Sequence, residues 1–323
     1  MDIPPAFVAA AKPHRFASGP ALLGFFQALL GQDFTAWFEA KLARQEEWQA
    51  RDIPAGAAAG FAAAWTAVLA QRPCSLMEVL AFTAIMINET GGSFQPLTEK
   101  MGRQGHPGLA YLFDAIPGVK RAYNQAPNLT AGQLFRDAAF NAAHGGKALG
   151  TRLAGSQDPA WDGIVYPQAS IPTQPDPAVT GYVMEADFCK FRGRGLIQTT
   201  WRSGYRPLVG FVQAYAGPQK LVAEYRNRWA GLAPEAVLTA SSTADWDRLF
   251  QQSDLVIPCA ALLAHARAGG YLPLAGEATV LNGTGPGSVF NMGKRISGGD
   301  GYATLFKARL ARLAMALPKL PPA

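Results

Sequence analysis

The sequence predicts a mainly helical protein of the α+β class. Apolar residues recur at helical spacing in several stretches, and the clearest of these stretches ends in Glu89. The chain also contains 34 glycines and 24 prolines, which predict many irregular connections between the helices. These observations together indicate a helical core with long loops and, at most, a small β-hairpin flap.

The first 72 residues are predicted to form an N-terminal helical extension. They begin with a Pro- and Ala-rich stretch, residues 1–20, which we expect to be loosely held. The predicted helices of this extension cover residues 20–31, 35–50 and 56–70.

A central helix is predicted over residues 75–89. Ser75 is a suitable N-cap, and Glu78 three residues later completes a capping box. The helix is apolar on nearly every side, which is typical of a helix inside the core. Gly91 and Gly92 then end it.

Two glutamates flank the turn that follows this helix. Glu89 ends an apolar helix, so we expect partial desolvation to raise its pKa and to suit it to proton donation. Glu99 lies ten residues further on. One carboxylic acid and one carboxylate are the groups that glycoside hydrolysis requires.

A Gly-Arg-Gly stretch with polar residues after it is the second candidate for chemistry. Gly193 and Gly195 add no side chain to a core, so their expected use is close backbone approach. Gln198 and Thr200 follow with an amide and a hydroxyl, which suit a cleft for a polar, uncharged substrate.

The remaining chain is predicted to alternate helices with loops. A long proline-containing loop or flap is expected at residues 150–187, and residues 276–301 are glycine-rich. The further predicted helices cover residues 109–116, 130–145, 202–216, 218–230, 246–252, 255–268 and 302–317.

Three motifs resemble glycoside hydrolase family 19, and more closely its bacterial and phage endolysin branch. They are Asn88-Glu89-Thr90-Gly91-Gly92 followed by Glu99, then Phe191-Arg-Gly-Arg-Gly-Leu-Ile-Gln-Thr-Thr200, then Lys294-Arg-Ile-Ser-Gly-Gly-Asp-Gly-Tyr302. They occur in the family's order across residues 76–315. The resemblance implies a lysozyme-like, bilobal helical core around a substrate cleft. It places the catalytic domain at residues 73–317, with a short tail at 318–323.

The resemblance also implies roles for individual residues. Glu89 matches the general acid and Glu99 the base that activates water, with Glu185 and Asp187 as alternatives for the base. Such enzymes invert the anomeric centre, which requires carboxyl groups about 6.5–9.5 Å apart. Thr200 matches a hydroxyl that helps to hold the water, and Gln198 an amide that borders the sugar.

The remaining roles concern substrate binding and tuning of the acid. The resemblance predicts that Arg295 approaches the acid, and Arg192 and Arg194 are expected to pair with carboxylates such as Glu185 or Asp187. Two family asparagines are replaced here, by Gly204 and Ser297, which argues against ordinary chitin as the substrate. The predicted substrate-binding residues are Arg194, Gln198, Thr200, Tyr205, Arg295 and Ser297.

The charge favours a polyanionic partner. The formal net charge is +6 and the isoelectric point is about 9.3. The basic residues are scattered and no nucleic-acid motif occurs, so nucleic acid is not an expected partner. Bacterial cell wall carries negative charge, whereas chitin is neutral. The leading hypothesis is therefore a peptidoglycan hydrolase, with a chitinase and a catalytically weak glycan-binding or structural protein as alternatives.

No cofactor, metal or membrane span is expected. The four histidines and three cysteines show no metal-ligand spacing, and no run of about 18 apolar residues occurs. The N-terminus lacks signal-peptide features, so we expect synthesis in the cytoplasm and action on the wall or in the periplasm after lysis or export. Residues 1–72 are expected to cap the catalytic domain, to guide export, or to bind an immunity or carrier protein.

Overall fold

The computed structural model describes residues 1–99, 190–268, 273–297 and 299–322. The predicted flap at 150–187, the predicted helices at 109–116 and 130–145, and the alternative bases Glu185 and Asp187 all lie outside these residues. The chain divides into two compact units. The first comprises residues 1–97, 195–197 and 254–323, and the second comprises residues 98–194 and 198–253.

The described part of the chain is mainly helical, as the sequence predicts. Its strands, β1 to β4, are each two residues long: Arg15–Phe16, Cys74–Ser75, Leu97–Thr98 and Arg194–Gly195. β1 pairs with β2 in an antiparallel sheet, and β3 pairs with β4 in a second sheet. The lysozyme-like bilobal arrangement remains a prediction.

Five described helices of the first unit precede the second unit along the chain: α1 Pro5–Ala11, α2 Gly19–Leu30, α3 Phe34–Lys41, α4 Ala57–Gln71 and α5 Leu76–Glu89. Those after it are α10 Val256–Ala268, α11 Ala278–Leu281, α12 Val289–Ser297 and α13 Asp300–Ala316. A 3₁₀-helix covers Glu46–Trp48. In the second unit the helices are α6 Trp201–Gln213, α7 Lys220–Trp229, α8 Pro234–Ala240 and α9 Thr243–Gln252.

α5 is the central helix of the first unit. Every residue from Leu76 to Ile87 is buried, and the predicted capping box is present. The Ser75 hydroxyl accepts a hydrogen bond from the Glu78 amide, and the Glu78 carboxylate accepts one from the Ser75 amide. The cap fixes the first residue of the helix. Since each helical residue adds a fixed rise, the cap also fixes the position of Glu89 along the helix axis.

The N-terminal residues are an integral part of the first unit. The prediction that residues 1–20 are loosely held is wrong: Val8 and Ala11 are buried, and Ile3 exchanges two backbone hydrogen bonds with the Asn282 side chain. His14 lies 3.1 Å from the Pro321 carbonyl oxygen through Nε2. The domain boundary at residue 72 stays a prediction, although residues 1–97 here belong to one unit.

The helix predicted over residues 35–50 is shorter in the structure. α3 ends at Lys41, and the chain then turns through the 3₁₀-helix to Gln49 and Ala50, both with left-handed backbone. The helical spacing of apolar residues extends to Trp48, but in the structure Trp48 belongs to the 3₁₀-helix and is buried there. The glycine-rich stretch 276–301, for which no helix was predicted, contains α11 and α12.

The cores of the two units consist of different side chains. In the first unit the stacked rings of Phe34 and Phe61, 4.9 Å apart, anchor an aromatic cluster among α2, α3 and α4. The same helices border an apolar groove of about 350 Å³. In the second unit Trp246 is fully buried and packs edge-on against the Tyr205 ring, 4.9 Å away.

Alanine substitutions at two helical glycines of the first unit are expected to have opposite effects on the free energy of unfolding. A Cβ on Gly293 would lie 2.9 Å from Ala303 Cα and 3.0 Å from the Phe306 ring, whereas a Cβ on Gly24 meets nothing within 4 Å. We expect Gly293→Ala to lower the free energy of unfolding by about 1–3 kcal/mol through overpacking. We expect Gly24→Ala to raise it by about 0.5–1 kcal/mol through helix propensity. Urea unfolding measures both, and a shift in the same direction for the two variants would contradict the α12–α13 packing.

Candidate active site

Glu89 is the last residue of α5, and the chain turns sharply just after it. Gly91 and Gly92 both have positive φ, 65° and 82°, which glycine adopts without strain. A Cβ on Gly92 would lie 2.9 Å from Ile53 Cδ1, so this turn also packs against the N-terminal residues. The apolar helix and the glycine turn leave the Glu89 carboxyl partly buried at the helix end.

One oxygen of the Glu89 carboxyl receives both of its hydrogen bonds. The Asn88 side-chain Nδ2 donates to Oε1 at 2.7 Å, and the Tyr302 hydroxyl of α13 lies 3.4 Å from the same oxygen. Burial raises the pKa of Tyr302, so this hydroxyl keeps its proton and acts as the donor. Oε2 accepts no hydrogen bond from the described residues.

Arg309 and Arg51 donate hydrogen bonds to the residues that precede Glu89. Arg309 of α13 donates from Nη1 to the Asn88 side-chain oxygen at 2.7 Å, which orients the Asn88 amide towards Glu89. Arg51 donates from Nη1 to the carbonyls of Ile87 and Asn88, at 2.6 and 3.1 Å. These carbonyls end α5 and have no partner within the helix.

The pKa of Glu89 is raised above the ordinary glutamate value. Burial is the largest cause, because the ionised carboxyl loses its hydration. The hydrogen bonds from Asn88 and Tyr302 and the charges of Arg309 and Arg51 act in the opposite direction without overcoming burial. Glu89 therefore keeps its proton to higher pH than an exposed glutamate, as a general acid must.

Glu99 belongs to the second unit and is tied to Gly193 by two hydrogen bonds. The Gly193 amide donates to Glu99 Oε2 at 3.1 Å, and the Glu99 amide donates to the Gly193 carbonyl at 2.8 Å. A Cβ on Gly193 would lie 2.6 Å from Gln198 Oε1 and 3.3 Å from Glu99 Oε2. Glycine at this position thus lets two predicted site residues, Glu99 and Gln198, approach the same backbone.

Gln198 and Thr200 are held by a tight backbone turn. Arg194 and Thr199 exchange two backbone hydrogen bonds, 3.1 and 2.8 Å long, and Gln198 lies between them with a left-handed φ of 52°. The Thr200 hydroxyl donates to the Gln198 carbonyl at 2.7 Å. A left-handed non-glycine residue costs about 1–2 kcal/mol, so the turn holds Gln198 in a specific orientation at a cost in stability.

Arg194 and Tyr205 have a structural role in place of the predicted contact with sugar, because both side chains are fully buried. The Tyr205 hydroxyl accepts from Arg194 Nη1 at 2.8 Å and donates to the Arg192 carbonyl at 2.7 Å. Among the described residues, Asp247 pairs with Arg192 and Arg194, at 2.9 and 2.7 Å, and no sequence motif indicated it. The predicted partners Glu185 and Asp187 lie outside the described residues.

Arg295 and Ser297 lie on α12. The Arg295 side chain is exposed, and the arginines whose charges act on Glu89 are Arg309 and Arg51. This corrects the prediction that Arg295 tunes the acid. The Ser297 side chain lies outside what the structure describes. The basic character of residues 302–317 was the one sequence signal that pointed towards Arg309.

No family model, no curated protein and no solved structure matches this chain. In the described ranges no group of three or more His, Cys, Asp or Glu side chains is arranged to hold a metal ion. Among the same residues, no helix is both long enough and apolar enough to cross a membrane. The resemblance to family 19 glycoside hydrolases therefore stays a prediction from the three motifs.

Removing the charge of Glu89 is expected to stabilise the protein at neutral pH. The folded state binds the Glu89 proton more tightly than the unfolded state, so stability falls as pH rises from the ordinary glutamate pKa through the raised one. Glu89→Gln abolishes this loss. In urea unfolding its advantage over wild type is absent below the ordinary glutamate pKa and grows to a plateau at neutral pH. Glu39→Gln, at an exposed position of α3, is the control, and an advantage that shrinks towards neutral pH would refute the burial argument.

Removing the Tyr205 hydroxyl is expected to destabilise the protein. Tyr205→Phe leaves the Arg192 carbonyl and Arg194 Nη1 short of a buried partner, which costs about 1–3 kcal/mol in the free energy of unfolding. The control is Tyr215→Phe, which removes one acceptor from the Gln219 amide at a half-buried site and is expected to cost about 1 kcal/mol or less. Wild-type stability together with loss of glycan binding in Tyr205→Phe would restore the sugar-contact role.

Proposed function

We propose that this chain is a glycoside hydrolase that cleaves the β-1,4-linked glycan strand of bacterial peptidoglycan, with Glu89 as the general acid. The observation that carries the proposal is the state of the Glu89 carboxyl. It ends a buried helix, its pKa is raised by burial, and both of its donors bind Oε1. A proton on Oε2 is then the one available for transfer to a glycosidic oxygen.

The proposed step is protonation of the leaving oxygen by Glu89 as the glycosidic bond breaks. A carboxylate takes a proton from the attacking water, and the resemblance assigns this role to Glu99, with Glu185 and Asp187 as alternatives. The bond from the Gly193 amide holds Oε2 of Glu99 in place. The resemblance assigns the Gln198 amide to the edge of the sugar site, and in the second unit this side chain lies beside the Gly193 backbone.

The choice of wall over chitin rests on charge. A net charge of +6 favours approach to a polyanionic wall, and chitin is neutral. A phage endolysin and a secreted antibacterial effector both act on this substrate after synthesis in the cytoplasm. The chemistry of Glu89 is the same for either route of delivery.

Zymography tests the proposal directly. Wild-type protein is expected to clear purified peptidoglycan but not colloidal chitin, and Glu89→Gln is expected to lose clearing by about 10²–10⁴-fold, since a carboxamide is too weak an acid to protonate the leaving oxygen. Glu99→Gln is expected to lose activity to a similar degree. Glu39→Gln, at an exposed position of α3, serves as the matched control and clears as wild type. Clearing of chitin alone would indicate a chitinase, and glycan binding without clearing in any variant would indicate a binding protein.

A further inference from the structure

The segment from Glu47 to Pro54, which we call the 47–54 segment, has a backbone that its own sequence does not favour. Gln49 and Ala50 are consecutive residues with left-handed backbone, φ 58° and 47°. Each costs about 1–2 kcal/mol for a residue other than glycine. The pair turns the chain back so that the Arg51 amide donates to the Ala43 carbonyl at 2.8 Å. Such a conformation persists when the surrounding contacts over-determine it.

The contact that this turn permits is the one between Arg51 and the end of α5. Arg51 is half-buried, and its guanidinium binds the Ile87 and Asn88 carbonyls through one nitrogen. A cation at a helix C-terminus is favourable because the carbonyls there carry partial negative charge. Glu89 is the next residue, so the cation and the candidate acid lie at the same helix end.

α13 binds the same segment from its other side. Arg309 donates from Nε to the Glu47 carbonyl at 2.7 Å and lies over the Trp48 ring, 5.3 Å from its centroid. Arg312 donates to the Glu47 carboxylate at 2.8 Å. Since Arg309 also binds Asn88, the 47–54 segment, α13 and the end of α5 form one bonded group.

We propose that Arg51 is a positioning residue for Glu89, and that the 47–54 segment is thereby a built-in part of the candidate active site. The proposal rests on the proposed function in assigning Glu89 as the acid. It gives the first 72 residues a role in the chemistry itself: they supply the cation and the turn that hold the end of α5.

The groups that face Glu89 come from three elements. Asn88 belongs to its own helix, Tyr302 and Arg309 belong to α13, and Arg51 belongs to the 47–54 segment. The charge of Arg51 favours the ionised carboxyl and so opposes burial. Loss of that charge leaves burial less opposed, and the carboxyl then holds its proton to still higher pH.

The test is a direct titration of Glu89 that does not depend on enzymatic activity. Protein with ¹³C-labelled glutamate is titrated by NMR, and the Glu89 resonance is identified by its absence in Glu89→Gln. Arg51→Gln keeps an amide donor for the carbonyls while removing the charge. It is expected to raise the pKa of Glu89 above the wild-type value. Arg51→Lys, which keeps the charge, is expected to restore most of the wild-type value.

Arg15→Gln is the matched control, because Arg15 is exposed on β1 and its charge is not among those that act on Glu89. An unchanged Glu89 titration in Arg51→Gln, or an equal shift in Arg15→Gln, would overturn the positioning role. If wild-type protein fails to clear peptidoglycan while the Arg51→Gln shift is present, the hydrolase proposal fails and the electrostatic link between Arg51 and Glu89 stands. If clearing occurs, the alkaline limb of its pH profile is expected to move upward in Arg51→Gln by the same amount.

Discussion

The burial of a carboxyl group at the negative end of a buried helix is the constraint around which the first unit is built. The unpaired carbonyls at the end of α5 carry partial negative charge, and the ionised Glu89 carboxyl would add a full negative charge beside them. Burial favours the protonated carboxyl, whereas the hydrogen bonds from Asn88 and Tyr302 and the charges of Arg309 and Arg51 favour the ionised form. Arg51 also binds the carbonyls at the end of α5, and Arg309 binds the Asn88 side chain. The N-terminal segment and α13 therefore converge on the end of α5.

In the second unit, some residues of and around the 191–200 motif form a buried framework, and others approach the backbone of Gly193. Arg192, Arg194 and Tyr205 are buried and bonded to one another or to Asp247. They hold the glycine-containing backbone, whereas Glu99 and Gln198 approach Gly193 with their side-chain oxygens. Removing any framework residue leaves a buried charge or polar group without its partner, so these residues act on the site through stability.

The helix that the local pattern specified most completely was predicted to within one residue. Residues 75–89 were predicted from the capping box, the apolar faces and the terminal glycines, and the structure has α5 at Leu76–Glu89 with that box formed. By contrast, residues 276–301 were identified only as glycine-rich, with no helix predicted, yet they contain α11 and α12. Gly293 is used there for close approach of α12 to α13, a use that only the neighbouring helix reveals.

The sequence by itself determined that a glutamate ends a buried helix and that burial favours its proton, because caps, apolar spacing and glycines act over a few neighbouring residues. Tertiary structure alone decided which charges surround that glutamate. Arg51 reaches Asn88 from 37 residues away and Arg309 from 221, while Asp247 reaches Arg194 from 53. Long-range hydrogen bonds and ion pairs have no local period or spacing, so packing selects their partners and they form only when the chain has folded.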